Sequence, residues 1–512
     1  MGATGHQRAT EEIPNLHDIS DADGPARNHL QGNHLERLDT ALANQKAGPS
    51  SNCCSSTGRG QKEPARPSVT QFFCFLPELL RDAPNVLLRL FTEYGDVICV
   101  RPRLLRPVYL LNHPRHIKHV LQDNYLNYQK GSLYDELRAL HGDGLVTSDG
   151  RSWQRQRRQA QPAFHHDHDD KFARIIVEAT VCMLHRWNAI AKADRALNIR
   201  EEMRNLTLEI LLQALFSAQL APEAETLCPA LDTAERRISL ASQVNPLKVL
   251  LTGLPTPINL RFRKALRTID SFAYRLIAER KQCPLQNGDL LSLMLAGGKN
   301  GESLDEQHMR DSIITLVDSG YDSTAGAMTW AWYLLSRNPA SGRKLHAELT
   351  EVLRGRTPTC ADLPQLTYTR MVVQETLRLY PSAWAIARTA VKNDEIDGYR
   401  IPAKSLIVIS PYAAHRRPAS WENPEGFDPE RFSCERSKNR DSFTYFPFGG
   451  GPRLCLGKRF ALMEAELVLA MIAQKWRLDL VPGSEIGIEP TISLRPRRNM
   501  MMTLHSQPEA RG

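Results

Sequence analysis

Among the residues whose type and setting could do chemistry, Cys455 comes first. It lies in Phe448-Gly449-Gly450-Gly451-Pro452-Arg453-Leu454-Cys455-Leu456-Gly457, and Lys458 to Ala465 reads as the opening of a helix. Three glycines and a proline make a tight loop with exposed backbone. A thiol at the mouth of a helix meets unsatisfied backbone N–H groups and the positive end of the helix dipole, and both favour the thiolate. The glycines let peptide N–H groups approach the sulfur, where they can tune a bound metal. A plain turn around a structural cysteine would look similar. A phosphate-binding loop is excluded by spacing: Gly451 stands one residue too far from Gly457-Lys458, and Arg459 replaces the required Ser or Thr.

A second group is the polar run Asp318-Ser319-Gly320-Tyr321-Asp322-Ser323-Thr324, set between Ile313, Ile314, Leu316 and Val317 on one side and Met328, Trp330 and Trp332 on the other. Glycine costs about 1 kcal/mol relative to alanine inside a helix. Hydroxyls there can compete for i−4 carbonyls and distort the helix locally. Polar residues in such a place point to a gap facing a ligand. Trp153 and Arg157 share a helix face at i and i+4. Glu375 and Arg378 share another at i and i+3, before Tyr380-Pro381 ends that helix, and Arg431 follows in Pro429-Glu430-Arg431-Phe432. The run His165-His166-Asp167-His168-Asp169-Asp170 looks superficially like a metal site but follows Pro162, as a solvated loop would.

These groups need elements to hold them. Ser303-x-x-Glu306 reads as a capping box and Asn338-Pro339 as a stop, so one long helix carries the polar run. Val97–Val100 and Pro107–Leu111 read as paired short strands, and Pro114 to Asp123 as a short helix. The stretch from Phe172 to Lys281 is mostly amphipathic helix, interrupted by an apolar link broken by Pro and Gly at residues 244–255. Ala383 to Arg388 reads as strand, and Asn393 to Ile401 with Asp397-Gly398 as a hairpin. Thr491 to Leu494 forms a last turn that could line a cavity.

The motifs together resemble the cytochrome P-450 family, whose axial-ligand loop reads Phe-x-x-Gly-x-Arg-x-Cys-x-Gly; Phe448, Gly451, Arg453, Cys455 and Gly457 fit it without a gap. The family's long helix carries (Ala/Gly)-Gly-x-(Asp/Glu)-Thr-(Thr/Ser), here Ser319 to Thr324, with Ser323 in place of the usual Thr. Serine keeps the hydroxyl but loses the methyl that restrains χ1.

The resemblance covers roughly residues 70 to 505. It implies a mainly α fold with a smaller β region (α+β), a single large domain around haem b (iron protoporphyrin IX). Cys455 would be the iron's thiolate ligand, and Arg453, Arg388, Trp153, Arg157 and Lys130 would meet the propionates. Asp322 and Ser323, with Thr324 sharing the role, would relay protons during oxygen activation. Glu375, Arg378 and Arg431 would form a buried ion-pair frame, Ala383 to Ile386 would project over the haem, and residues 244–255 would roof the substrate. The implied activity is that of an oxidoreductase, a monooxygenase that uses O2 to hydroxylate or epoxidise a lipophilic molecule. Fatty acids, terpenoids and polyketide intermediates of bacterial specialised metabolism are the substrate classes. A peroxide-driven hydroxylase, a rearrangement enzyme and a non-catalytic haem-binding protein share the fold as alternatives.

At 512 residues and 42% apolar content the chain can bury a large core, and a formal charge of +8 decides little between partners. Ten cysteines without a Cys-x-x-Cys pair fit a reducing compartment. No run approaches the ~18 apolar residues of a membrane span. Residues 1–68 are polar and almost without aromatics, and read as a disordered extension ahead of a domain at 69–512. The expectation is a cytoplasmic monomer with no nucleic-acid partner. The sequence stops soon after the last turn, so electrons should come from a separate ferredoxin or flavodoxin with its reductase. Lys458, Arg459, Arg155 and Arg158 supply a basic face for it.

Overall fold

In the computed structural model, residues 62–100, 106–218, 224–243, 254–282, 289–295 and 305–508 are described. Residues 244–253 of the expected roof at 244–255, Ser303 of the expected capping box, and residues 1–61 lie outside them. Residues 62–68, which the sequence reading assigned to the extension, are tied to the fold. Ala65 N–H donates to Val97 O at 3.2 Å and Ala65 O accepts from Cys99 N–H at 2.9 Å. A backbone ladder needs no apolar side chains, so composition could not reveal it.

Helices dominate. The principal ones are α1 (Val69–Tyr94), α2 (Gly150–Ala160), α3 (Asp169–Lys192), α4 (Ile199–Phe216), α5 (Ala224–Gln243), α6 (Pro257–Gln282), α7 (Glu306–Arg337), α8 (Pro339–Leu353), α9 (Thr367–Leu379) and α10 (Lys458–Lys475). The main sheet takes β1 (Val97–Val100), β2 (Val108–Leu111), β3 (Tyr128–Gln129), β4 (Ile386–Ala390) and β5 (Leu406–Ile409) in the order β1-β2-β5-β4-β3, with only β2 and β5 parallel. Asp394–Ile396 pairs with Tyr399–Ile401 as expected, Asp397 and Gly398 both taking positive φ as a two-residue turn requires. Pro114–Lys118 continues into a π-type turn at His119–Asp123. Ala383–Ala385, expected as strand, precede β4 as irregular chain, because pairing with β5 begins only at Ile386.

Helix α7 spans 32 residues, about 48 Å at 1.5 Å per residue, and runs through the main core. Its N-cap is Asp305, whose side chain accepts from His308 N–H at 2.8 Å, and the stop falls at Asn338-Pro339 as expected. It packs most extensively on α4, and contacts α6, α9 and α10 as well. The polar run therefore sits mid-helix, deep inside the molecule. Among the described residues no helix is long and apolar enough to cross a membrane.

Candidate functional site

The cysteine loop closes on itself before α10 begins. Cys455 N–H donates to Phe448 O and Leu454 N–H to Gly451 O, both at 3.0 Å. Gly451 has φ +64°, and a Cβ there would lie 2.0 Å from the carbonyl oxygen of Leu121. Both facts demand glycine, and both let the loop press against the turn at 119–123.

Cys455 faces a cavity of about 380 Å³ that separates this loop from α7. Its side chain is exposed towards that cavity while protein atoms crowd it on the other sides. Burial pushes its thiol up, against the pull of the Gly457 backbone N–H, Arg157 and Lys458. The sequence expectation of a thiol held low by the helix mouth is thus corrected. The helix N–H is present, but loss of water outweighs it.

Opposite the loop, α7 contributes Leu316, Ser319, Gly320, Ser323, Thr324 and Ala327 to the cavity wall. Leu211 and Leu215 of α4, Val373 and Leu377 of α9, and Ala383, Ala385 and Ile386 complete apolar walls. One end is cationic. Lys130, Arg157, Arg388 and Arg453 line it with Trp153 and Tyr134. Arg453 pairs with Asp149 at 2.5 Å and lies 4.4 Å from the Trp153 ring centroid, while Arg157 donates to Leu454 O at 2.6 Å. Lys130 is buried, its Nζ 4.4 Å from the centroid of the Tyr134 ring. Burial first, then Arg388 and Arg453, holds its ammonium well below the usual lysine range, with only Asp149 opposing. Three guanidiniums and a desolvated lysine with a single carboxylate nearby call for an anionic ligand.

The site therefore fits a haem on its own terms: a sulfur in one wall, apolar faces, and a desolvated basic end suited to two carboxylates. Phe448 also lines it. Tyr134 and Asp149 were not legible in the sequence, since neither belongs to a motif and both act only through neighbours brought in by folding.

Asp322 and Ser323 do not share this cavity. Successive helix residues point about 100° apart. Ser323 faces the cavity with its Oγ donating to Ser319 O at 2.7 Å; Asp322 is buried on another side of α7. There its carboxylate accepts from Ser493 Oγ and lies 3.7 Å from Arg204 Nε. The surrounding net joins Arg204 to Asp232 at 2.7 Å and Arg495 to both Asp232 and Glu235 at 3.0 Å. The turn Thr491–Leu494 was expected to line the cavity and does not. It bonds the same side of α7, with Trp330 Nε1–H donating to Leu494 O at 3.0 Å.

The ion-pair frame has the expected members. Glu375 accepts from Arg378 Nε at 2.7 Å and Nη2 at 2.8 Å, from Arg431 Nε at 3.0 Å, and from Asp428 N–H at 2.9 Å. Its link to the cysteine loop is a residue the sequence reading missed. His415 O accepts from Arg378 Nη1 at 2.9 Å, and His415 Nε2 accepts from Phe446 N–H at 3.0 Å, at the start of the loop. Burial, then Arg378, pushes the His415 pKa down to about 3, so the ring is neutral and free to accept.

On the surface, Arg155, Arg158, Lys458 and Arg459 are exposed, and Arg459 pairs with Asp169. His165 and His166 each place Nδ1 3.0 Å from the Asp167 carboxylate, all three exposed.

The family model for cytochrome P-450 matches residues 64–503. This chain is a cytochrome P-450. It is 37% identical to the cyclooctatin synthase of Streptomyces melanosporofaciens over 81% of this chain and 90% of that protein. It is 33% identical to the cyclooctat-9-en-7-ol 5-monooxygenase of the same organism, over 79% and 87%. The pentalenene oxygenase of Streptomyces avermitilis is 32% identical over 77% and 87%. The cytochrome P-450 is thus an oxidoreductase, a haem-thiolate monooxygenase related to terpenoid-modifying enzymes of Streptomyces. Such enzymes take O2 and electrons from redox partners and bind lipophilic substrates.

Proposed function

We propose that this cytochrome P-450 binds haem b through Cys455 and hydroxylates or epoxidises a polycyclic terpenoid in bacterial specialised metabolism. The observation that carries the reading is one cavity bounded by the Cys455 sulfur on one side and the Ser323 and Thr324 wall of α7 on the other, with hydrocarbon side chains between. The relatives support the terpenoid class. By its name, one is a 5-monooxygenase of cyclooctat-9-en-7-ol, a compound that already bears a hydroxyl.

The bound haem supplies oxygen activation at its iron. The protein's own residues do the rest. Cys455 provides the thiolate. Arg453, Arg388, Arg157 and Lys130 hold the propionates through charge-assisted bonds, with Trp153 packed under Arg453. The walls exclude water and orient the substrate by shape. Ser323 and Thr324 hold a proton at Oγ on the cavity side, and Asp322 would join the relay by turning its carboxylate from Ser493 and Arg204 towards them. Electrons arrive from a ferredoxin or flavodoxin and its reductase at the face carrying Arg155, Arg158 and Lys458. The protein works as a cytoplasmic monomer.

Two measurements test this. Reduced protein with carbon monoxide should show the red-shifted Soret band of thiolate ligation, and Cys455→Ser should lose it. NADPH with surrogate redox proteins should drive product formation from a terpene panel. Turnover with peroxide alone, and none with NADPH, would replace the reading by a peroxide-driven one.

A further inference from the structure

Ser319 lies mid-way along α7, with core helices around it, yet its side chain is exposed, and that exposure opens onto the cavity. Two of the nearby hydroxyls are engaged. Ser323 Oγ donates to Ser319 O and Ser382 Oγ donates to Ser323 O, both at 2.7 Å. Thr315 Oγ1 is buried and turned to Gly144, where an added Cβ would lie 1.9 Å from it. A helical serine usually satisfies its hydroxyl on the i−4 carbonyl, as Ser323 does. Ser319 makes no such bond to Thr315 O, and among the described residues its Oγ has no protein partner.

The helix does not call on this hydroxyl, and the family motif has Ala or Gly in its place. Leu211, Leu215 and Leu316 line the same cavity with hydrocarbon. A pure hydrocarbon filling the cavity would strip water from Ser319 Oγ and return nothing, whereas a ligand oxygen would bond it.

We infer that Ser319 is a specificity-determining residue that hydrogen-bonds an oxygen already present on the substrate. The inference rests on the terpenoid reading above and deepens it: the substrate is an oxygenated terpene skeleton, not the bare hydrocarbon. A reaction that installs oxygen must come first. It is either an earlier monooxygenation or capture of water by a cyclising carbocation.

The test uses the haem-loaded full chain and saturated tricyclic terpenes with and without one hydroxyl, cedrane and cedrol being the lead pair. Kd is read by calorimetry and by the substrate-induced Soret shift, for wild type and Ser319→Ala. Alanine is the better helix former, so the variant folds. The wild type should favour the alcohols about tenfold, or 1.4 kcal/mol at 298 K. Ser319→Ala should lose that preference by weakening alcohol binding alone. Equal binding of hydrocarbon and alcohol by the wild type, or an alcohol preference that survives in Ser319→Ala, overturns the inference while leaving terpenoid oxidation standing. If no member of the panel binds the wild type, the terpenoid reading falls, and this inference with it.

Discussion

Replacing Glu375 by Gln isolates what the ion-pair frame does for the cysteine loop. The carboxylate accepts four donors, three from Arg378 and Arg431 and one from Asp428 N–H, and all three side chains are at most 4% exposed. Glutamine keeps the volume but supplies one oxygen, turns an NH2 towards guanidinium donors, and leaves two buried cations without an anion. Breaking a buried pair from one side costs about 3–5 kcal/mol. Unfolding entropy near 2.1 cal/mol/K per residue, over roughly 400 ordered residues, converts this to a fall in Tm of about 4–6 °C. The damage should also be local. Arg378 holds His415 O, and His415 holds Phe446 N–H, so the loop loses its anchor. The assays are calorimetry of the holoprotein and the reduced carbon monoxide spectrum, which should show a growing fraction without the thiolate-type band. Glu395→Gln, on the exposed hairpin, serves as control. A Tm within 1 °C of wild type together with an unchanged carbon monoxide spectrum would refute the account of a buried charge frame steering the loop.

Two further outcomes follow from buried carboxyls. Glu464 sits in the core of α10 with neither oxygen bonded among the described residues, and burial pushes its pKa from 4.5 up to about 8. The folded state then binds the extra proton, so its contribution is complete below pH 4.5 and fades as pH rises to 8, by about 1.4 kcal/mol per pH unit. Glu464→Gln should flatten that part of the profile in urea unfolding between pH 5 and 8; an unchanged slope rules the assignment out. Asp322→Asn keeps size and the Ser493 contact but cannot carry a proton, so kcat for product should fall about 100-fold with substrate Kd unchanged. A kcat within twofold of wild type would remove Asp322 from the proton path.

Much of the site was legible in the sequence because short-range rules govern it. The spacing of Gly451, Arg453, Cys455 and Gly457 encodes a loop whose backbone–backbone bonds close within ten residues. Glu375 and Arg378 meet because a helix brings i and i+3 together. The α7 stop at Asn338-Pro339 is likewise local chemistry.

Tertiary structure decided which way things face and what crosses the chain. Asp322 and Ser323 are neighbours in sequence, yet helical rotation sends one to an arginine net and the other to the cavity. The side on which the cavity lies was fixed by the packing of α4, α9 and α10. His415, Tyr134 and Asp149 belong to no motif, and they matter because folding brings them to Phe446, Lys130 and Arg453. The thiol of Cys455 teaches the same lesson. Sequence displayed the helix mouth that lowers it, while only the packed fold supplied the burial that raises it.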